Sequence, residues 1–258
     1  MSRQEKIYFL SDFHLGAPDA ESSLLREKKI VEFLDEIKRD ATEIFIVGDM
    51  FDFWYEYRKV VPKGYVRLLG KLAEITDSGI PVHFFVGNHD MWMTDYLQKE
   101  LNIKTYFEPH EFEFSGKKFL IGHGDGLGPG DRGYKMLKKV FRNRAAQWLF
   151  GILPPYMGMG LANYFSRKSR EATDKHEESF LGEDNEWLIT YSKEVLKQKH
   201  YDYLVFGHRH LPIDFPIDSS RYINLGDWIR YFTYAVFDGQ HLALHSRYPE
   251  NEPKIIRK

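Results

Sequence analysis

Short apolar runs with strand character alternate with amphipathic helical stretches through the first hundred residues, and the runs end at clusters of carboxylate, imidazole and carboxamide side chains. Runs 6–11, 43–48 and 82–87 read as strands, and stretches 24–39 and 65–78 as helices, which is the βαβ signature of a largely parallel sheet. Beyond 91–101, read as helical, runs 112–115 and 118–122 are separated by Gly116-Lys117 and predict a hairpin. Residues 131–199 read as mostly helical. Strand character returns at 203–207, 222–225, 233–237 and 241–245, with Asp238-Gly239 as a turn. The pattern predicts a mixed sheet system covered by helices, with a helical insertion before the last strands. It shows no internal repeat and no low-complexity linker.

Five polar clusters stand at predicted strand ends, where open α/β sheets bind ligands. They are Ser11-Asp12-Phe13-His14, Gly48-Asp49-Met50-Phe51-Asp52, Gly87-Asn88-His89-Asp90, Gly122-His123-Gly124-Asp125 and Gly207-His208-Arg209-His210. Singly each is ordinary, since Asp-x-His caps loops and Gly-His or Gly-Asn makes turns. Together they converge if the strands are neighbours. A glycine directly before four of them suits a tight exit from the strand and close backbone approach.

The donor types select a hard or borderline divalent cation such as Mn²⁺, Fe²⁺, Zn²⁺ or Mg²⁺. With no cysteine in the chain, disulfides, thiolate metal sites and thiol catalysis are excluded. The clusters offer too many ligands for one ion, so one carboxylate is expected to bridge two, about 3.5–4 Å apart, as in two-metal phosphoryl transfer.

The 258 residues allow one large α/β domain or two small ones. Hydrophobic residues at 43% and a net charge of −2 exclude a disordered or generally basic chain, so an anionic partner must meet a local patch. The apolar run 7–10 is too short for a secretory h-region, and no stretch offers about 20 unbroken apolar residues. The expectation is a non-secreted chain without a spanning helix.

In order and spacing the clusters D-x-H, G-D-x-x-D, G-N-H-D, G-H and G-H-x-H resemble the calcineurin-like metallophosphoesterases. The resemblance spans Asp12 to His210. It implies an α/β fold, a β-sandwich flanked by helices in four αββα layers, with the whole of 1–258 as one domain. It also implies that Asp12, His14 and His210 bind a first metal, that Asn88, His123 and His208 bind a second, and that Asp49 bridges them. His89 would contact the phosphate and protonate or stabilise the leaving group, with Asp90 orienting its ring. Asp52 and Asp125 would fix ligand histidines and their charge.

The insertion, about 131–181, separates substrate classes. Residues 145–165 contain no Asp, Glu, Lys or Arg, and residues 131–175 carry ten Lys and Arg against three acids, a local +7. An ordinary helical hairpin would bury one apolar stripe, but here the apolar run is too uniform for that, and Pro154-Pro155 breaks any span. A basic, apolar cap suits a substrate with both phosphate and acyl chains, and an anionic membrane surface.

With H-G-D, D-x-x-Y, this cap, G-H-x-H and Leu225-Gly226-Asp227-Trp228, the chain is similar to the UDP-2,3-diacylglucosamine pyrophosphatases of lipid A synthesis. That similarity implies hydrolysis at the α-phosphate to UMP and 2,3-diacylglucosamine 1-phosphate. It further implies Mn²⁺ as the cofactor, acyl chains held between cap and core, and a cytoplasmic enzyme at the inner face of the membrane, with no nucleic-acid partner. Asn88, His89, Asp131, Tyr134, Ser166, Arg170 and Lys175 would meet the substrate. At position 89 the chain keeps the histidine of the general phosphoesterases where the best-known members of this subfamily carry arginine. Two other readings stand beside this one: a soluble phosphodiesterase or phosphatase for a nucleotide or other phosphoester, and a non-catalytic scaffold that binds a membrane or partner.

Overall fold

All four residues of β1 (Ile7–Leu10) are buried, because the strand is covered on both faces. Ile7 and Phe9 point one way and Tyr8 and Leu10 the other, and the two pairs belong to different cores. The same division runs through β2 (Glu43–Val47), with Phe45 and Val47 on one side and Ile44 and Ile46 on the other. The computed structural model in which this is seen describes residues 5–129, 132–177, 179–248 and 255–257, without the side chains of 132, 133, 167 and 169–177.

Two six-stranded sheets face each other. In the first, β1, β2, β3 (Val82–Phe85) and β4 (Lys104–Tyr106) run parallel, and β10 (Thr233–Phe237) and β11 (Leu242–Ser246) add antiparallel beside β1. In the second, β6 (Lys117–Gly122), β7 (Tyr203–Phe206) and β9 (Ser220–Leu225) run parallel. It is flanked by β5 (His110–Phe114), β8 (Pro212–Ile217) and the two-residue β12 (Ile256–Arg257). Between the sheets lie Phe9, Phe45, Phe119, Val205, Ile223 and Phe237, among others. Phe9 stacks on Phe45 and Phe119 at centroid distances of 5.2 and 6.1 Å. Truncating one such interior ring generally costs about 3–5 kcal/mol, so the sandwich interior strongly enforces the register.

Helices α1 (Ala20–Ile37), α2 (Val66–Asp77) and α3 (Tyr96–Leu101) cover the outer face of the first sheet, and α7 (Trp187–Leu196) that of the second. The layers are therefore α, β, β, α, as the resemblance implies. Asp19 starts α1 by accepting from Ser22 N–H at 2.9 Å. Between β6 and α7 stand α4 (Arg132–Phe141), α5 (Arg144–Ile152) and α6 (Pro155–Glu177), where the insertion is expected.

Three local expectations need correction. The hairpin turns at Ser115-Gly116, both at positive φ (45° and 75°), so Lys117 is already in β6 opposite Phe114. The helix expected over 91–101 occupies only 96–101, because the preceding residues pack against the loop after β2, with Tyr55 bridging to Trp92. Strands β4, β8 and β12 were not anticipated.

Candidate metal centre

Each expected metal ligand follows a parallel strand: β1, β2 and β3 in the first sheet, β6 and β7 in the second. Because the strands run the same way, their carboxyl ends lie together, and the loops lock across the sandwich. Asp12 N–H donates to the Gly48 carbonyl at 3.1 Å and His14 N–H to that of Asp49 at 2.9 Å. Between the sheets, His208 N–H donates to Asp12 Oδ2 at 3.1 Å, and His123 Nδ1 lies 2.9 Å from the Val47 carbonyl.

Glycines allow this closeness. A Cβ on Gly207 would stand 1.9 Å from Ser11 Oγ, and one on Gly87 2.1 Å from Asp49 Oδ1. Asp12, His14, Asp49, His208 and His210 all have positive φ, between 45° and 66°. Non-glycine residues tolerate that conformation at a cost of roughly 1–3 kcal/mol each, and such strain concentrates at functional sites.

The expected ligands gather into two groups that share Asp49. One holds Asp12, His14, Asp49 and His210, the other Asp49, His123 and His208, with ligand atoms within 4.8 Å of one another in each, and a third group of His14, Asp52 and His89 adjoins the first. In the first, His14 Nε2 lies 3.0 Å from His210 Nε2 and 3.6 Å from Asp49 Oδ2, and His210 Nε2 lies 3.1 Å from Asp12 Oδ1. In the second, His123 Nε2 is 3.3 Å from Asp49 Oδ2 and 3.1 Å from Asn88 Oδ1, so Asn88 joins that group.

This donor set fits a cation. The buried Asp12 Oδ1 and Asp49 Oδ2 have no hydrogen-bond partner although both face imidazole nitrogens. His123 Nδ1–H donates to the Val47 carbonyl, so Nε2, turned toward Asn88 Oδ1 and Asp49 Oδ2, is the nitrogen left to hold a proton or, in its place, a cation.

Proton affinities follow from the same crowding. Burial penalises the Asp49 and Asp12 carboxylates, yet the surrounding imidazoles, His123 beside Asp49 and His210 beside Asp12, hold both well below the usual range. Burial would likewise lower His123, but Asp49 and Asp12 lift it to about 10. Burial and the neighbouring His123 push His208 down to about 4. The field that draws a proton onto His123 is the field that draws a cation.

His89 N–H donates to Asp49 Oδ1 at 2.9 Å, and its Nδ1 faces the Asp52 carbonyl at 2.9 Å. Burial lowers its pKa to about 4. Asp90 does not meet the His89 ring. Its carboxylate accepts from Gly87 N–H at 2.7 Å and Met50 N–H at 2.8 Å, tying the loops after β3 and β2 together, so Asp52 orients the ring instead. Burial and the charge of Asp49 raise Asp90 to about 7.

From the insertion, Ser166 Oγ donates to Asp52 Oδ2 at 2.8 Å and lies 3.4 Å from His89 Nδ1. Tyr134 Oη donates to Asp125 Oδ2 at 2.8 Å, and Lys138 Nζ reaches the same oxygen at 2.5 Å. Asp131 and the side chains of Arg170 and Lys175 lie outside the described residues. Motif reasoning did not single out Arg26, whose guanidinium donates to the His14 carbonyl at 2.7 Å from α1. It also did not single out Lys138. Neither position stands near a cluster in sequence.

Residues 5–212 match the calcineurin-like phosphoesterase family model, and the chain belongs to that family of metal-dependent phosphoester hydrolases, with a divalent metal centre. A Porphyromonas gingivalis protein called UDP-2,3-diacylglucosamine hydrolase is 41% identical over 256 residues, covering 94% of this chain and 98% of that protein. A Pseudomonas aeruginosa protein of the same name is 28% identical, covering 87% and 91%. A solved archaeal phosphodiesterase has a TM-score of 0.48 at 14% identity over 93% of this chain and 99% of that one, so family membership rests on the sequence matches.

Proposed function

We propose that the chain hydrolyses the pyrophosphate of UDP-2,3-diacylglucosamine at the phosphate beside uridine, giving UMP and 2,3-diacylglucosamine 1-phosphate, a step of lipid A biosynthesis. The observation that carries this reading is a cavity of about 720 Å³ that begins at Gly16 and Asp52 and runs between loop 57–67 and α6. Its walls include Val60, Val61, Pro62, Val66, Tyr156 and Met159. A small phosphoester has no use for so large a space with apolar walls beside Asp52, whereas acyl chains do. The names of the relatives at 41% and 28% identity agree with that chemistry.

Two divalent ions, taken as Mn²⁺, would be held by Asp12, His14 and His210 on one side and by Asn88, His123 and His208 on the other, with Asp49 common to both. Bound there, they would bring the pKa of a water near neutrality and neutralise charge on the phosphoryl oxygens. His89, its Nδ1 engaged by Asp52, presents Nε2 to the phosphate, and an anionic phosphate beside it favours the protonated ring that serves the leaving group. Asp90 acts on the backbone of both loops. Asn88 and His89 meet the phosphates, while Tyr134 and Ser166 contribute from the insertion.

No helix among the described residues is long and apolar enough to cross a membrane. Of the sixteen large apolar side chains exposed among those residues, eleven fall within 136–165, in the basic stretch. We propose that this surface rests on the anionic inner face of the cytoplasmic membrane, where the substrate resides.

The test is turnover of UDP-2,3-diacylglucosamine, an unacylated UDP-sugar and a simple phosphodiester, with and without Mn²⁺, in ¹⁸O-water. The expected result is Mn²⁺-dependent release of ¹⁸O-labelled UMP, fastest from the acylated substrate. Faster hydrolysis of the unacylated diester with the lipid left intact would overturn the substrate assignment and favour a soluble phosphodiesterase.

A further inference from the structure

His208 and His210 serve different ligand groups, and the residue between them is turned the other way. We propose that Arg209, gripped by Glu186, is a positioning residue that holds both groups of the metal centre in register. Both side chains are buried, at 1% and 0% relative exposure. Arg209 Nε lies 3.1 Å from Glu186 Oε2, and a terminal nitrogen lies 3.2 Å from Oε1 and donates to the Ser179 carbonyl at 2.6 Å. The guanidinium also stands over the Trp187 ring at 5.5 Å. Glu186 is itself fixed: it is the residue before α7, and its Oε1 accepts from Leu181 N–H at 3.0 Å.

The backbone that this fork anchors needs an anchor. His208 and His210 have φ of 66° and 55°, and the turn is tied by Arg209 N–H to the Gly207 carbonyl at 2.8 Å and by His208 N–H to Asp12 Oδ2 at 3.1 Å, on the His208 side. Two left-handed histidines around one residue relax unless something outside the turn fixes that residue. A bidentate guanidinium–carboxylate pair fixes direction as well as distance, which a lysine ammonium does not. Since Asp49 and Arg209 each connect the two groups, the first through its carboxylate and the second through the chain, loosening Arg209 weakens both at once. The inference rests on the divalent metal centre and is independent of the acylated substrate.

The test is titration of Mn²⁺ into the full chain stripped by chelator, with free Mn²⁺ followed by electron paramagnetic resonance and melting temperature measured in chelator. Arg209→Lys is expected to melt within a few degrees of the unmodified chain but to bind every Mn²⁺ at least tenfold more weakly. His210→Ala, for comparison, weakens one class of site. Unchanged affinity in folded Arg209→Lys overturns the proposal. If Arg209→Lys does not fold, the double variant Arg209→Met/Glu186→Met decides, because replacing a buried ion pair by apolar side chains commonly preserves stability. A normal melting temperature with tenfold weaker Mn²⁺ binding supports positioning, and normal values of both mean that the pair only packs.

Discussion

Asp52 shows how much one non-ligand carboxylate organises. Its carbonyl meets His89 Nδ1, its Oδ1 lies 3.7 Å from His14 Nδ1 and 3.6 Å from His89 Nδ1, and its Oδ2 accepts from Ser166. One residue thus meets His14, His89 and the insertion. Asp52→Asn keeps the shape but removes the charge, and is expected to lower kcat/KM by roughly 10–100-fold while the melting temperature holds, the size typical of partners that orient ligands. Unchanged kinetics would remove Asp52 from the machinery. The seven expected ligands were legible because each belongs to a cluster that follows an apolar run, where strand direction decides its position. The partners of Asp52 and Asp125 were not legible, since Ser166, Tyr134 and Lys138 reach them from a helical stretch whose docking no local pattern encodes.

Among the elements, the parallel strands β1, β2, β3, β6 and β7 were readable because both their faces are covered, which leaves unbroken apolar runs. β8 was hidden by Pro212 and Pro216. Both are tolerated there, the first at the strand start and the second outside the pairing with β12, which among the described residues meets Ile213 and Asp214. α5 departs furthest from an ordinary helix. Asn143 caps it by accepting from Ala145 and Ala146 N–H, yet none of its residues is buried, and Trp148, Leu149 and Ile152 are exposed. Its attachment is through Phe150, which packs on Tyr55 and Trp92 at centroid distances of 4.9 and 4.6 Å, and through Tyr55 Oη, which donates to the Gln147 carbonyl at 2.7 Å. A helix held by one ring with its other apolar residues facing out suits an interface. Trp148→Asp with Leu149→Asp is expected to abolish sedimentation with phosphatidylglycerol vesicles, with stability changed by no more than about 0.5 kcal/mol. Retained vesicle binding would show that this surface does not meet the membrane.

At the scale of the whole molecule, the two sheets explain why five clusters spread over two hundred residues act as one site. Their strands end at the same edge of the sandwich, and the insertion after β6 returns over that edge to touch Asp125 and Asp52. The αββα layering was implied by the family resemblance, while the residue pattern alone gave a mixed sheet system covered by helices. The placement of the insertion against both halves of the site was not, because aromatic contacts such as Trp92 with Phe150 and the Trp92 Nε1–H bond to the Phe141 carbonyl at 2.6 Å create it between distant segments. The measurement that bears most directly on the site is anomalous diffraction from crystals soaked in saturating Mn²⁺. Two peaks are predicted, both touching Asp49, one among Asp12, His14 and His210 and the other among Asn88, His123 and His208. A single peak, or none, would contradict a two-ion centre shared between the sheets.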